Sequence, residues 1–430
     1  MARRRLRGRD LRARLDTLAR RAAARVLGAP GADPSRGART AVRVLSVVAR
    51  DRWRWFRLRP MRDVPAREQG LVRGAGAGLS LGPRFAHEPP GAAEERHVRR
   101  EFPAVHYRRF RDALVDERAS SVLVGTDHVL PDHAFDLLSE SRLKGGSLLH
   151  HGSTVALHRS PRQLPDVERA VHLGGYHAYN WYHWVAEIVP RVLAIPDLPP
   201  HLQDHPLLVP SSAAGSGTAR EVLEALLPQR EILAFPSRGP VLVRDLVVLD
   251  GLVLHPAGFG QGGGPRVGRE LIHVEGMRDY RAALRAALGV SDGIEPGFRI
   301  FIDRDHDPER GYNREEILAV AERRGFTPIV GGNLTAREQA ALFARAEFVI
   351  GPNGAGWANV LFCSPGARGL CWLVPEGMGG PWFRNLGHVA GVELSYLAAE
   401  PRSEGNPLKV DCHVDPQRFE RALDEVIAGW

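Results

Sequence analysis

Residues 298–375 read FRIFIDRDHDPERGYNREEILAVAERRGFTPIVGGNLTAREQAALFARAEFVIGPNGAGWANVLFCSPGARGLCWLVP. The apolar period of this stretch switches repeatedly between that of a buried strand and that of a helix. Residues 298–302 are a short apolar run of strand length. Asn313 opens a helical pattern, with Glu316 in the capping-box position and Gly325 at the stop. Residues 326–330 read as a second strand, and Thr335 with Glu338 makes a second capping box. Residues 347–350 give a third strand. It runs into Pro352-Asn353-Gly354-Ala355-Gly356, which opens a third helix. Residues 370–374 give a fourth strand. Strands alternating with helices predict a parallel sheet with helical crossovers.

In such a sheet, ligands sit beyond the carboxyl ends of the strands. Arg304 and Arg310 follow the first strand, Gly331 to Asn333 follow the second, and residues 353–356 follow the third. A helix start presents free N–H groups and a positive partial charge, and arginine pairs bidentately with phosphate oxygens. Two arginines and a glycine-rich helix start on one edge therefore suit a phosphate. Gly354-Ala355-Gly356 by itself is a weak signal, and an ordinary strand-to-helix turn also accounts for it.

The motifs of this stretch resemble the C-terminal half of glycosyltransferase family 61, which includes capsular-polysaccharide enzymes and protein O-glycan or xylosyl transferases. The matching residues are Arg304, Arg310, Asn313 with Glu316, Glu338-Gln339, and Asn353-Gly354-Ala355-Gly356 followed by Asn359. A second family block appears upstream as Asn180, His183-Trp184, Glu187 and Pro190-Arg191. The two blocks stand in family order, and the resemblance covers residues 165–400. It implies transfer of a sugar from a nucleotide donor, expected to be UDP-linked, to a glycan hydroxyl, with inversion at the sugar carbon. It also implies that Asn180, Asn313, Gln339, Asn353 and Asn359 line the substrate site.

Length and composition fit two domains. The chain has 430 residues, of which 43% are hydrophobic, so a sizeable core is available. Cys363, Cys371 and Cys412 are odd in number and lack CxxC spacing, which argues against a disulfide scaffold and a zinc site. The net charge of +8 is unevenly spread. Residues 1–73 carry 21 Arg against 6 Asp and Glu, so the remainder is mildly acidic. A basic arm points to an anionic surface: membrane lipid, nucleic acid or an acidic partner. No nucleic-acid module accompanies it, so nucleic acid ranks last.

Residues 1–27 place Leu6, Leu11, Leu15 and Leu18 at helical spacing with arginines opposite, the pattern of a basic amphipathic helix. No apolar run reaches the roughly 18 residues of a membrane span. Residues 50–57 interleave arginine with tryptophan, which suits a lipid headgroup interface. These features predict a cytoplasmic protein held peripherally at the inner face of the membrane. Residues 70–91 are rich in Gly and Pro and read as a linker. Short strands at residues 122–124, 148–150, 155–158 and 170–173 follow. Further strands and a helix over residues 207–249 resume an α/β alternation. Residues 258–264 (GFGQGGG) read as a flexible joint; no GK[ST] follows, so a Walker site is excluded.

His183 and Glu187 are four apart and share a helical face. A carboxylate beside an imidazole fixes its tautomer, so either residue is a candidate general base; a buried, hydrogen-bonded core histidine is the competing reading. His172, His177 and His183 fit no zinc spacing, and neither metal nor cofactor is expected.

The expected architecture has two Rossmann-like α/β domains facing a cleft, the GT-B arrangement, behind a basic helical extension. The boundaries are residues 1–73 for the extension, 94–265 for an acceptor domain and 266–430 for a nucleotide-sugar domain. In this scheme Arg304, Arg310 and the start at Gly354, Ala355 and Gly356 stabilise the leaving diphosphate without a metal. The chain departs from the family twice. Asn353 stands where relatives have His, and residues 370–373 lack a glutamate, with Glu376 the nearest substitute. A catalytically silent relative, acting as a scaffold or binding subunit of an envelope-glycan assembly, is the alternative.

Overall fold

A computed structural model describes residues 52–86, 97–117, 122–130, 142–143, 148–151, 155–160, 163–175, 177–236, 239–254, 259–260, 270–291, 293–304, 310–375, 382–404 and 410–429. The expected N-terminal amphipathic helix, most of the joint at 258–264, and Glu376 lie outside these residues. Among the described residues no helix is long and apolar enough to cross a membrane.

The architecture is mixed α/β with several sheets. The largest sheet contains β1 (Arg52–Pro60), β2 (Val105–Val115), β3 (Asp166–His172), β4 (Leu207–Val209), β5 (Ile232–Ala234) and β6 (Val241–Leu249). Its order runs β5-β4-β3-β6-β2 and continues through two short strands to β1. The pairs β5/β4, β4/β3 and β3/β6 are parallel. Beyond β6 the next pairings are antiparallel, with Val115 of β2 opposite Val241 of β6, while β1 joins the last short strand in parallel. The Rossmann-like pattern read for this half is thus confined to β3–β6. Helix α1 (Gly217–Leu226) connects β4 to β5 and is capped by Ser216, whose hydroxyl accepts from Ala219 N.

Two sequence expectations are corrected here. The arginine–tryptophan run at 52–57 lies in β1, with Phe56 and Leu58 buried and Arg57 between them exposed. This is the period of two of a strand in a sheet, and Arg57 pairs with Asp127 at 2.9 Å. Within the proposed linker, Glu68–Arg73 and Gly76–Ser80 are also strands. Glycine here serves close packing: a Cβ on Gly78 would meet the Arg100 carbonyl oxygen at 2.6 Å.

The second sheet contains β7 (Phe298–Ile302), β8 (Thr327–Ile329), β9 (Ala346–Pro352), β10 (Arg368–Leu373) and β11 (Glu393–Ala398). All four pairings are parallel, in the order β8-β7-β9-β10-β11. Helix α2 (Val274–Ala287) precedes β7. Helices α3 (Arg314–Glu322), α4 (Ala336–Ala344) and α5 (Trp382–Ala390) make crossovers, and α6 (Pro416–Ala428) ends the described chain. The crossover from β9 to β10 is a 3-10 helix over Ala355–Phe362, where an ordinary helix was expected.

Local chemistry explains most of these boundaries. Thr335 and Glu338 form the reciprocal capping box of α4, and Asp415 caps α6 ahead of Pro416. Gly325 ends α3 at φ 78°, in the left-handed region that glycine adopts without strain. Asn313 occupies the cap position of α3 without capping it. Its amide instead exchanges two 2.9 Å hydrogen bonds with the backbone of Val414.

One apolar core serves both sheets. Val171, Trp184 and Leu207 from the first half pack in the same cluster as Ile300, Phe343 and Trp357 from the second. At the centre of the parallel sheet, β7 and β9 approach closely, because a Cβ on Gly351 would meet the Cβ of Ile302 at 2.7 Å. Gly351→Ala should therefore overpack the β7/β9 contact and cost about 1–3 kcal/mol. A chemical denaturation curve unchanged from the parent protein would refute that account.

Candidate functional site

The strand order of the parallel sheet, second-first-third-fourth-fifth, reverses direction between β7 and β9. Ligands in open α/β sheets bind at such a switch point, beyond the carboxyl ends of the strands. Arg304 lies just past the end of β7, and Gly354 just past the end of β9. The two meet: a Cβ on Gly354 would lie 3.2 Å from Arg304 Nη2 and 3.5 Å from its Nε. Arg304 Nη1 also donates to the carbonyl of Arg310 at 3.3 Å, which ties the two arginine segments together.

Asp303, next to Arg304, is engaged elsewhere. Its carboxylate takes a two-point contact from Arg314, at 2.9 and 2.5 Å. That pairing offsets the charge of the one acid in the described lining, beside Arg304 and Arg310. Among the described residues, the first backbone N–H of the 3-10 helix to find an acceptor is that of Trp357, bonded to Gly354 O at 3.2 Å. The earlier N–H groups, at Ala355 and Gly356, are the unmet donors that every helix start carries.

These groups open onto a cavity of about 450 Å³ between the parallel sheet and the first half of the chain. The volume is within the range of small-molecule sites. Of the residues singled out in the sequence, Asn180, Arg304, Arg310, Gln339, Gly354, Ala355 and Gly356 line it. His183, Glu187, Asn313, Asn353 and Asn359 are not in its lining. Asn313 is held by Val414, as described above.

Asn359 is buried directly behind the wall. It accepts from the indole N–H of Trp181 at 2.7 Å and donates to Gln339 Oε1 at 2.8 Å. Gln339 in turn donates to the carbonyls of Gly331 and Leu334. An unbroken chain of amides thus links an aromatic side chain of the first half to the loop after β8. Glu221 of α1 strengthens the same junction by accepting from Ala336 N, at the start of α4, at 2.7 Å.

His183 begins a π-helix over His183–Ile188, a rare, widened turn that often marks functional sites. His183 Nδ1 meets Glu187 Oε2 at 2.9 Å. Burial disfavours the imidazolium, but the charge and hydrogen bond of Glu187 outweigh it, so the pKa of His183 is raised above its ordinary 6.5. The ring of His177 stacks on His183 at 5.3 Å and 25°. His177 Nδ1 meets the hydroxyl of Tyr179 at 2.6 Å, and Tyr179 lines the cavity. His177 itself sits at φ 57°, uncommon for a residue with a side chain and a strain that tends to be kept at functional sites. His172 is separate from this group. It is buried edge-on against Phe235, and burial, then the charge of Arg191, pushes its pKa down to about 3.

Sequence reasoning passed over Ser212, Ser216 and Thr218, and gave Tyr179 and Trp181 no role beyond their place in the 176–181 loop; all five also line the cavity. The aromatics stand beside Asn180 in a run already singled out. The hydroxyls follow β4 in Ser211-Ser212-Ala213-Ala214-Gly215-Ser216-Gly217-Thr218, a signal of the same kind as the loop after β9.

A cavity at the switch point of a parallel sheet, with arginines over a glycine-rich helix start, has the form of a site for a phosphate-bearing small molecule. Residues 181–370 match the sequence model described as Glycosyltransferase 61, so this stretch is similar to that family. Glycosyltransferase activity, with a sugar donor and an acceptor, is the class of function that this match supports. No curated protein matches the chain.

The buried amide chain is open to a direct test. Asn359→Ala would leave the Trp181 N–H and Gln339 Oε1 without partners. Unmet buried groups of this kind cost about 1–3 kcal/mol, so urea unfolding should shift by that amount. An unshifted midpoint would show that the chain contributes nothing to stability.

Proposed function

We propose that the protein moves a sugar from a nucleotide-sugar donor to a hydroxyl of a glycan, with inversion, and that its two halves act as the two lobes of a GT-B-type enzyme. The parallel sheet takes the donor and the first half takes the acceptor. One observation carries this reading: the Arg304 guanidinium stands over Gly354 at the switch point, facing a cavity that Arg310 also lines. Positive charge and helix-start donors at that place would stabilise a departing diphosphate.

The bond changes are as follows. The acceptor oxygen forms a bond to the sugar carbon from one face. The bond from that carbon to the phosphate oxygen breaks on the other, and its electron pair leaves with the diphosphate. The acceptor proton goes to the His183–Glu187 pair, which stands outside the cavity lining and is joined to it through His177, stacked on His183 and bonded to the Tyr179 hydroxyl. A UDP-linked donor and a role in envelope or capsular polysaccharide synthesis are the specific forms we favour, on the family's members. The 14 arginines of residues 1–50, against 3 acidic residues, support contact with an anionic membrane surface at its inner face.

The donor side is tested by thermal shift with UDP, GDP and CMP. UDP should raise the melting temperature, and Arg304→Ala should weaken its binding about ten- to a hundredfold, the loss of a charge-assisted hydrogen bond. If no nucleotide stabilises the protein, or the variant responds as the parent does, the donor assignment fails. Stabilisation by UDP without hydrolysis or transfer of any UDP-sugar would favour the silent-relative reading.

The base is tested by pH. A base must be neutral to accept a proton, so the rate should be full above the raised pKa of His183 and fall as the pH drops through it. The stabilising His183–Glu187 contact runs the opposite way. It is fully present below pH 6.5 and is lost as the pH rises through the raised value. Glu187→Gln should move the acidic limb to lower pH and slow transfer about 10²- to 10⁴-fold. A limb that stays in place would exclude His183 as the base.

A further inference from the structure

The two walls of the cavity differ in chemistry. The charged residues in its lining, Asp303, Arg304 and Arg310, all come from the parallel-sheet side. The wall from the first half is uncharged, with Tyr179 and Trp181 at one part and the hydroxyls of Ser212, Ser216 and Thr218 at another. Tyr179 is 71% exposed, one of two large hydrophobic residues so exposed among the described residues. An exposed aromatic usually moves freely, but this one is tethered. Its hydroxyl is held at 2.6 Å by His177, whose ring is itself stacked on His183. The Trp181 indole N–H is likewise committed, to Asn359. With their polar tips engaged, both side chains offer the cavity mainly ring surface.

A pyranose has the matching division: one face of C–H groups and a rim of hydroxyls. We propose that the uncharged wall is a subsite for a neutral pyranose, stacked on Tyr179 with its hydroxyl rim toward the serine and threonine side, and that it selects against acidic sugars. Among the described residues a uronic acid or phosphorylated sugar would find no cation on this wall, and its carboxylate or phosphate would lose water without compensation. His177 is a positioning residue for the Tyr179 ring. The inference rests on the sugar-transfer reading for its meaning, but the subsite can be measured without any nucleotide.

The test uses saturation-transfer NMR on the full chain with methyl β-D-glucopyranoside, methyl β-D-galactopyranoside and methyl β-D-glucopyranosiduronate. A neutral glycoside should receive saturation on its ring protons, and the uronate should not. Tyr179→Ala should weaken the neutral glycoside about tenfold, the equivalent of one aromatic stacking contact, whereas Tyr179→Phe, which keeps the ring and loses the His177 tether, should give a smaller loss. His177→Ala should give an intermediate loss. Unchanged melting temperatures in the absence of ligand would show that the exposed site tolerates the changes. Equal saturation in parent and Tyr179→Ala, equal binding of the uronate, or no binding of any glycoside would each overturn the proposal. Glycoside binding that depends on Tyr179, without stabilisation by UDP, would retain the subsite and remove the nucleotide-donor reading.

Discussion

The close approach of β7 to β9 sets the rest of the site. Gly351 and Gly356 both lie against Ile302, and neither leaves room for a Cβ at ordinary contact distance. With those two strands in contact, the turn at Gly354 comes up beneath Arg304, and the helix start falls beside the end of β7. A larger residue at either glycine would separate the arginine from the turn. The electrostatics of the rim are therefore a consequence of packing several residues below it. The pairing of Asp303 with Arg314 completes the arrangement by keeping the adjacent acid on α3.

A second level of organisation comes from the C-terminal segment. Gly311 donates to Asp411 at 2.6 Å, Cys412 N donates to Gly311 O at 2.9 Å, and Val414 clasps Asn313. The loop that carries Arg310 is thus braced by residues a hundred positions further on. Asn313 is one of the residues carried over from the family pattern, and its amide is occupied in this bracing. The family motif around it accordingly contains structural as well as cavity-lining positions.

The parallel half of the molecule was legible in the sequence because its information is local. Each strand there is a short apolar run, α4 begins at the Thr335 capping box and the terminal helix at Asp415, and the parallel order follows from the alternation. The first half was less legible because its pairings join distant residues. Arg54 lies opposite His158, and nothing in an arginine–tryptophan run announces a strand partner a hundred residues away. The misreading of Asn313 has the same origin: a capping-box spacing is local, while the backbone that claims its side chain is not. The cavity's charged side was readable from strand ends. Its aromatic side was not, since the position of Tyr179 depends on a left-handed turn at His177 that no neighbouring glycine supplies at that position.

The shared core bears on how substrates come and go. Val171, Trp184, Ile300 and Trp357 belong to a single apolar cluster that spans both sheets. Wide separation of the halves would wet that cluster at roughly 25 cal/mol for each square ångström exposed, against a total stability of only about 5–15 kcal/mol for a typical protein. Gross parting is thus an expensive route to product escape. Traffic is better served by small displacements at the mouth, so the pace of turnover would be governed by loops at the entrance and not by swinging of whole lobes.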